Sequence, residues 1–441
     1  MTDQLAKIVF LGLVASNVAF AEVENVPDWN VATFSGDWGG VRSSLYDKGI
    51  AVELIHKSDV MAVASGGIKR GSAWMGNTEA RVQMDLEKLL GWDATTAYIH
   101  GHSQLGSKFN RDYVGSFIGV DNIENGVNTG QFDHAWVQKN FADDSLSVLA
   151  GLYAIDSEFY VTDTSGLFIQ PPYGPGNELS QSGQFGPPIF PLGALAIRMK
   201  YTSPGQSFYL QGALTDGVPS DPGNPRGTHI QLNKGDGSFS IVEFGYTPQE
   251  GSEPPFPTEH PGELVPPETK VHEESETFNK TAIGFWRYSA RIDDLDPAAV
   301  DAFGNPIRRV SQGFYFLAER ALMVEKDHPS QGLSGFVRFG TASKDIHQAD
   351  WTGSLGLRYH GLFSGRDDDI AGVAITVNHA SDKYRRLNNA DSSQTSVEAT
   401  YRAQLNPWFA LLPTLQYFHN PNMDPALKNT WILGARAEIT F

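Results

Sequence analysis

One pattern governs what this chain can fold into. From residue 50 to the last residue, polar and apolar side chains alternate with a period of two. In Thr78–Leu86, Ala80, Val82, Met84 and Leu86 share one face, while Glu79, Arg81, Gln83 and Asp85 share the other. In Val397–Leu405, Val397, Ala399, Tyr401, Ala403 and Leu405 alternate with Glu398, Thr400, Arg402 and Gln404. Trp431–Phe441 repeats the pattern and ends on an aromatic residue. A strand keeps such faces apart, whereas a helix scrambles them.

Sixteen candidate strands are found, starting near Ile50, Thr78, Thr95, Gln131, Ser145, Gly193, Ser207, Phe239, Asn279, Gln312, Leu333, Asp350, Asp369, Gln394, Trp408 and Thr430. Most run about 9–13 residues, enough for a tilted strand to cross the apolar band of an outer membrane. The connections sort by parity. Lys108–Gly130, Asp156–Leu192 and Thr215–Ser238 are long and polar; Ala142–Asp144, Ser203–Gln206 and Asn406–Pro407 are tight. Long loops at one end and short turns at the other are the mark of a closed membrane barrel. The fold expected is all-β, a 16-stranded antiparallel outer-membrane β-barrel. A short N-terminal periplasmic helix precedes it, stopped by Gly49. One connection breaks the parity rule: 248–278 is rich in Pro and Glu and is expected as a periplasmic insertion.

Residues 1–21 read as a signal peptide, with Lys7, the apolar run Ile8–Ala19 and the cleavage site Ala19-Phe20-Ala21. Residues 22–49 are expected as a periplasmic segment and 50–441 as the barrel. No later stretch approaches 18 consecutive apolar residues, so no transmembrane helix is expected. The formal charge is −18, and Lys7 and Asp3 cancel in the cleaved leader. Nucleic acid is therefore disfavoured as a partner. With no Cys at all, disulfide scaffolds, thiolate metal sites and a Cys nucleophile are excluded. The chain is too short for a 22-stranded plugged transporter. No G-x-S-x-G elbow, Walker loop or H-E-x-x-H appears, and no enzyme is nominated. No cofactor is implied.

In a barrel the polar half of each strand lines the lumen. Glu79, Arg81, Gln83, Asp85, Tyr98, His100, His102, Gln104, His134, Trp136, Gln138, Arg198, Lys200, Tyr209, Gln211, Glu243, Arg358, Glu398 and Arg402 fall on that half. Paired donors and acceptors suit vicinal hydroxyls, and Trp or Tyr offers a flat face to a sugar ring. His100 and His102 share a face, but no carboxylate stands at a fixed metal-ligand spacing from them. They are expected to line the lumen, with no metal assigned. Asp367–Asp369 lacks the spacing of a calcium loop and is expected as a solvated turn. Trp92, Phe141, Tyr201, Tyr246, Trp351 and Trp408 fall near strand ends, where interfacial girdles belong.

Several segments resemble one family. Ser35-Gly-Asp-Trp-Gly-Gly-Val-Arg42 followed by Lys48-Gly-Ile50 is similar to the opening of the carbohydrate-selective porins of the OprB type. Leu86-Glu-Lys-Leu-Leu-Gly-Trp92, Asp156-Ser-Glu-Phe159, Gly361-Leu-Phe-Ser-Gly-Arg-Asp-Asp-Asp369 and Tyr401-Arg-Ala-Gln-Leu-Asn-Pro-Trp408 look like the same family, as do Leu415-Gln-Tyr417 and Asn420-Pro421. The matches run in order from about residue 34 to 441.

The resemblance implies facilitated diffusion of glucose and similar monosaccharides through a lumen narrowed by inward loops. It places Glu79 and Arg81 on the second-strand lumen face, Asp156, Glu158 and Phe159 at the start of an inward loop, and Arg198 on the strand after it. It also implies small neutral sugars and outer-membrane lipids as partners, the barrel-assembly machinery reading the strand that ends in Phe441, and a possible homotrimer. One departure stands out. Where the family pattern carries two Glu flanking a Trp on the fourth strand, this chain has His134 and Gln138 around Trp136. That keeps a general or anion-preferring porin in view as the alternative. From other classes, an outer-membrane barrel enzyme and a secreted soluble β-protein stay as alternatives.

Overall fold

The computed structural model describes residues 28–248, 279–328 and 330–441. The signal peptide expected over 1–21 and nearly all of the insertion expected over 248–278 lie outside these residues.

The strands are β1 (Ile50–Gly67), β2 (Gly71–Asp85), β3 (Thr95–Gly106), β4 (Thr129–Phe141), β5 (Leu146–Tyr153), β6 (Ala194–Thr202), β7 (Phe208–Asp216) and β8 (Ser238–Tyr246). They continue as β9 (Asn279–Asp293), β10 (Arg308–Val324), β11 (Gly332–Ala342), β12 (Ala349–His360), β13 (Ile370–Ala380), β14 (Ser393–Asn406), β15 (Phe409–His419) and β16 (Lys428–Thr440). Each pairs antiparallel with its sequence neighbours, and β1 pairs with β16 to close the barrel. Closure leaves no free sheet edge, which is what lets a sheet cross lipid. Among the described residues five short α-helices accompany the sheet: α1 (Trp29–Ala32), α2 (Val41–Asp47), α3 (Leu86–Leu90), α4 (Asn177–Ser180) and α5 (Asp382–Asn388).

Alternation sorts the side chains as expected. Phe244, Ile283, Phe285, Phe314, Val337, Leu355 and Val373 stand exposed on the outer face. Their in-phase opposites, among them Glu243, Trp286, Tyr315, Arg338, Ser354 and Thr376, are buried inside. Trp92, Phe141, Tyr201 and Tyr246 are exposed near the short-turn end, and Trp74 and Trp431 near the other.

Helix α2 is the expected N-terminal helix, and Gly49 ends it at φ +88°, where a side chain would be strained. This segment seals the β1–β16 seam. Arg42 is buried between the rings of Trp29 and Trp38, 4.7 and 4.3 Å away. Its guanidinium donates to the carbonyls of Phe441 (2.6 Å) and Val52 (3.1 Å) and to Thr33 Oγ1 (2.9 Å). Phe34 packs on both Trp408 and Phe441. The turn holding Asp367–Asp369 is closed from within, because Arg366 donates to both oxygens of Asp369 (2.7 and 2.8 Å).

Candidate functional site

The connection between β5 and β6 does not stand outside the barrel. Residues 154–193 fold into it, carrying Ile155, Phe159, Tyr160, Phe168, Tyr173 and Leu179, all buried. A loop inside a crowded lumen must find partners for its backbone N–H groups. Three wall carboxylates provide them. Glu243 of β8 accepts from Tyr160 N (2.9 Å), Glu319 of β10 from Thr164 N (2.8 Å), and Glu398 of β14 from Ile169 N (2.8 Å) and Gln170 N (3.0 Å). Arg338 of β11 donates to the carbonyls of Tyr160 (2.6 Å) and Tyr173 and lies over the Tyr160 ring, whose other neighbour is Tyr315 stacked at 4.0 Å. Bonds of this kind, with one charged partner, are shorter and stronger than neutral ones.

A second loop, 107–128, also turns inward. Arg436 of β16 donates to Asp59 of β1 (2.7 Å) and, from the same nitrogen, to Asp121 (3.3 Å) and Asn122 (2.6 Å) of the loop. Two carboxylates thus share one guanidinium. Burial, followed by the Asp59 charge, pushes Asp121 well above the usual carboxylate range, against the pull of Arg436. Gln416 donates to Val120 O (2.9 Å), and Phe109, Val114, Ile118 and Val120 pack on Met61, Phe418 and Ile432 of the wall. The two loops meet where Asn122 N donates to Ile169 O (2.8 Å).

The remaining wall, from β1 to β6, carries most of the expected site residues. Glu79 is buried and accepts from Lys57 (3.0 Å), Arg81 (2.7 Å) and Asn77 (2.8 Å), and Arg81 also reaches Glu53 (3.1 Å). Glu158 and Arg198 form a buried pair at 2.8 Å, which Gln138, Ser147 and Tyr153 complete. Lys200 sits over the Tyr209 ring. Asp156 accepts from Phe190 N (3.0 Å); burial, with the nearby Asp133 charge, pushes it up to about 7.

Between these groups lie His100, His102, Asp133 and His134. The pairing of β3 with β4 passes from His100↔His134 to Gly101↔Phe132, skipping Asp133. That bulge turns two consecutive residues, Asp133 and His134, toward the lumen and breaks the alternation locally. Asp133 stands 2.9 Å from His100 Nδ1, 3.4 Å from His102 Nδ1 and 3.6 Å from His134 Nε2.

Several expected pore-lining residues have other placements. Trp136 is only 3% exposed and Phe159 is sealed completely, so neither offers a face to a solute. Both belong to the apolar cluster beneath the inward loop. Glu243 is covered by that loop and saturated by Tyr209, Gln211 and Tyr315 in addition to Tyr160. Asp85 ends its strand as the N-cap of α3, accepting from Glu87 N and Lys88 N. Gln83 is buried on the inner face near the short-turn end. Half-buried on the inner face or in the loop, by contrast, are Glu53, Lys57, Arg81, Tyr98, Asp156, Phe190 and Lys200. Tyr98 covers Trp136 at 5.2 Å. Phe190, absent from the expected set, replaces Trp136 and Phe159 as an available aromatic face.

The family model described as "Carbohydrate-selective porin, OprB family" matches residues 69–441. Porin B of Pseudomonas aeruginosa is 23% identical, with 92% of this chain and 90% of that protein aligned. The putative porin QuiX of Acinetobacter baylyi is 22% identical, with 98% and 99% aligned. Among solved structures, OprB of Pseudomonas putida at high pH superposes with a TM-score of 0.79 at 19% identity, covering 95% of this chain and all of that one.

Proposed function

The chain belongs to the OprB family of carbohydrate-selective porins of the bacterial outer membrane, and we propose that it conducts small neutral sugars of glucose size by facilitated diffusion. The observation that carries this reading is the division of the lumen. One side is filled by the loop 154–193, bound to β8, β10, β11 and β14. The other side leaves a strip of half-buried charged and aromatic groups, Glu53, Lys57, Arg81 and Tyr98 of the wall together with Asp156 and Phe190 of the loop, Phe190 lying against His100 and His102. A sugar entering the strip exchanges water for paired donors and acceptors around Arg81 and for the ring faces of Tyr98 and Phe190. Each contact is weak, which conduction requires. No energy source is involved.

Single-channel conductance in a planar bilayer, with glucose titrated in, tests the proposal. Saturable block by glucose supports it, and a conductance indifferent to sugars refutes it. The anion-preferring alternative draws on a specific placement: Glu243, Glu319 and Glu398 are occupied by loop N–H groups, while Lys57, Arg81 and Lys200 stay half-buried on the open side. A reversal potential in a salt gradient separates the two readings.

The signal peptide 1–21, the periplasmic placement of the N-terminal segment and of the insertion 248–278, and recognition of the Phe441 strand by the assembly machinery belong to the same proposal. So does a homotrimer. His56, Ser58 and Thr78 face outward midway along β1 and β2, with His56 Nδ1 2.8 Å from Thr78 Oγ1. Such groups suit a protein neighbour better than hydrocarbon. Native mass spectrometry from mild detergent reads the stoichiometry.

A further inference from the structure

The lumen wall carries an arrangement that sugar conduction does not use. His100 has a carboxylate at each ring nitrogen: Asp133 at 2.9 Å from Nδ1 and Glu79 at 3.5 Å from Nε2. A neutral imidazole has one donor and one acceptor, so one of these nitrogens turns a lone pair toward a carboxylate unless a proton or another cation lies between. His102 is buried beside it, with Nδ1 3.4 Å from the same Asp133 oxygen that faces His100. Ligating atoms of His100, Asp133 and His134 all lie within 4.8 Å of one another.

We propose that His100, Asp133 and His134 form a three-residue binding site for a divalent transition metal, zinc by donor type, in the β3–β4 wall of the pore. Two imidazoles and one carboxylate are a borderline donor set that suits zinc and not magnesium or calcium, and they leave a fourth position to water. Nitrogen and oxygen ligands about 2.0 Å from a tetrahedral zinc stand about 3.3 Å from one another. His100 Nδ1 stands 2.9 Å from Asp133 Oδ1 and His134 Nε2 stands 3.6 Å from Asp133 Oδ2, on either side of that value. Glu79 is placed to accept the proton on His100 Nε2, the outer carboxylate that fixes a metal-bound imidazole. Against these stands one contact: Ala154 N donates to His134 Nδ1 at 3.4 Å, a long bond that is given up when Nε2 binds the metal. Phe190, 4.9 Å from the His102 ring and 6.4 Å from that of His100, covers the cluster on the pore side. The site does not depend on which solute the channel carries.

Isothermal titration of the refolded, tag-free full chain with zinc chloride tests the site, with magnesium chloride as control. One zinc per chain and no magnesium binding are expected. Asp133→Asn and His100→Gln are expected to weaken zinc by at least about tenfold, and Glu79→Gln, acting through His100, by about tenfold. Heat-dependent mobility on gels reports whether each variant is folded. If Asp133→Asn does not fold, His134→Gln, which gives up only the long bond from Ala154 N, is expected to lower zinc affinity by itself. Absence of saturable zinc binding by the native chain overturns the proposal. So does zinc binding that the folded variants leave unchanged, which assigns it to histidines elsewhere.

Discussion

Changing Glu243, Glu319 and Glu398 together to Gln should release the inward loop and widen the pore. In the native chain these three carboxylates accept four backbone N–H groups of the loop, from Tyr160, Thr164, Ile169 and Gln170, at 2.8–3.0 Å. A hydrogen bond to a charged group contributes about 1.5–3 kcal/mol net, so the four together hold the loop by roughly 6–12 kcal/mol. Glutamine keeps the volume but turns one oxygen of each acceptor into a donor. Glu243 is then obliged to aim an NH2 at two of its four donors, and Glu398 at one or two of its three. Losing about half of the clamp costs roughly 3–6 kcal/mol, and about 5.5 kcal/mol is enough to take a two-state equilibrium from 1:99 to 99:1. The single variants leave two clamps and Arg338 in place and should change the channel little. The assay is single-channel conductance together with liposome swelling in a trisaccharide too large for the native pore. Native conductance and native exclusion in the folded triple variant would refute the reasoning and show that apolar packing alone holds the loop.

Three other outcomes follow from the same structure. Arg42→Ala removes a guanidinium packed between two indoles and leaves the Phe441 and Val52 carbonyls unpartnered; it should cost about 3 kcal/mol and lower the temperature at which the barrel loses its compact gel mobility. Asp85→Ala deletes the cap of α3 and should cost about 1 kcal/mol in thermal unfolding while leaving conductance unchanged, which a pore-lining carboxylate would not do. Asp156 and Glu178, both in the inward loop, are pushed up to about 7 by burial. Between the ordinary carboxylate range and 7 the folded state therefore holds protons that the unfolded chain has released, so their contribution is greatest in acid and is lost as pH rises through 7. Protease resistance of the loop should be higher at pH 5 than at pH 8, and the double variant Asp156→Asn, Glu178→Gln should flatten the difference.

The barrel is legible in the sequence because its rule is local. Each strand declares its two faces within about nine residues, and all sixteen strands overlap the segments that the alternation marks. The largest error is informative. β2 begins at Gly71, not near Thr78, because Ala73, Met75 and Asn77 face inward with few charges to mark them. Glu319 was within reach by the same rule. Phe314 and Phe316 face outward on β10, which puts Tyr315, Leu317 and Glu319 inside. Asp133 was not, since a bulge shifts the phase by one residue and nothing in the local pattern announces it.

Parity tells which way a side chain points but not whether a solute can reach it. That second property is set by the loop, and the loop is placed by bonds whose partners stand 83, 155 and 229 residues apart in the chain. Trp136 and Glu243 satisfy every local criterion for lining a sugar channel and are nonetheless covered, one by apolar packing and the other by four donors. Phe190 satisfies none, lying in a loop with no periodicity, yet it stays half-buried against His100 and His102, its backbone N–H held by Asp156. In a barrel of this kind the wall is written residue by residue. The aperture is a tertiary property, so a change in selectivity is best sought first in the carboxylates that hold the loop and only then in the residues that alternation marks as lumenal.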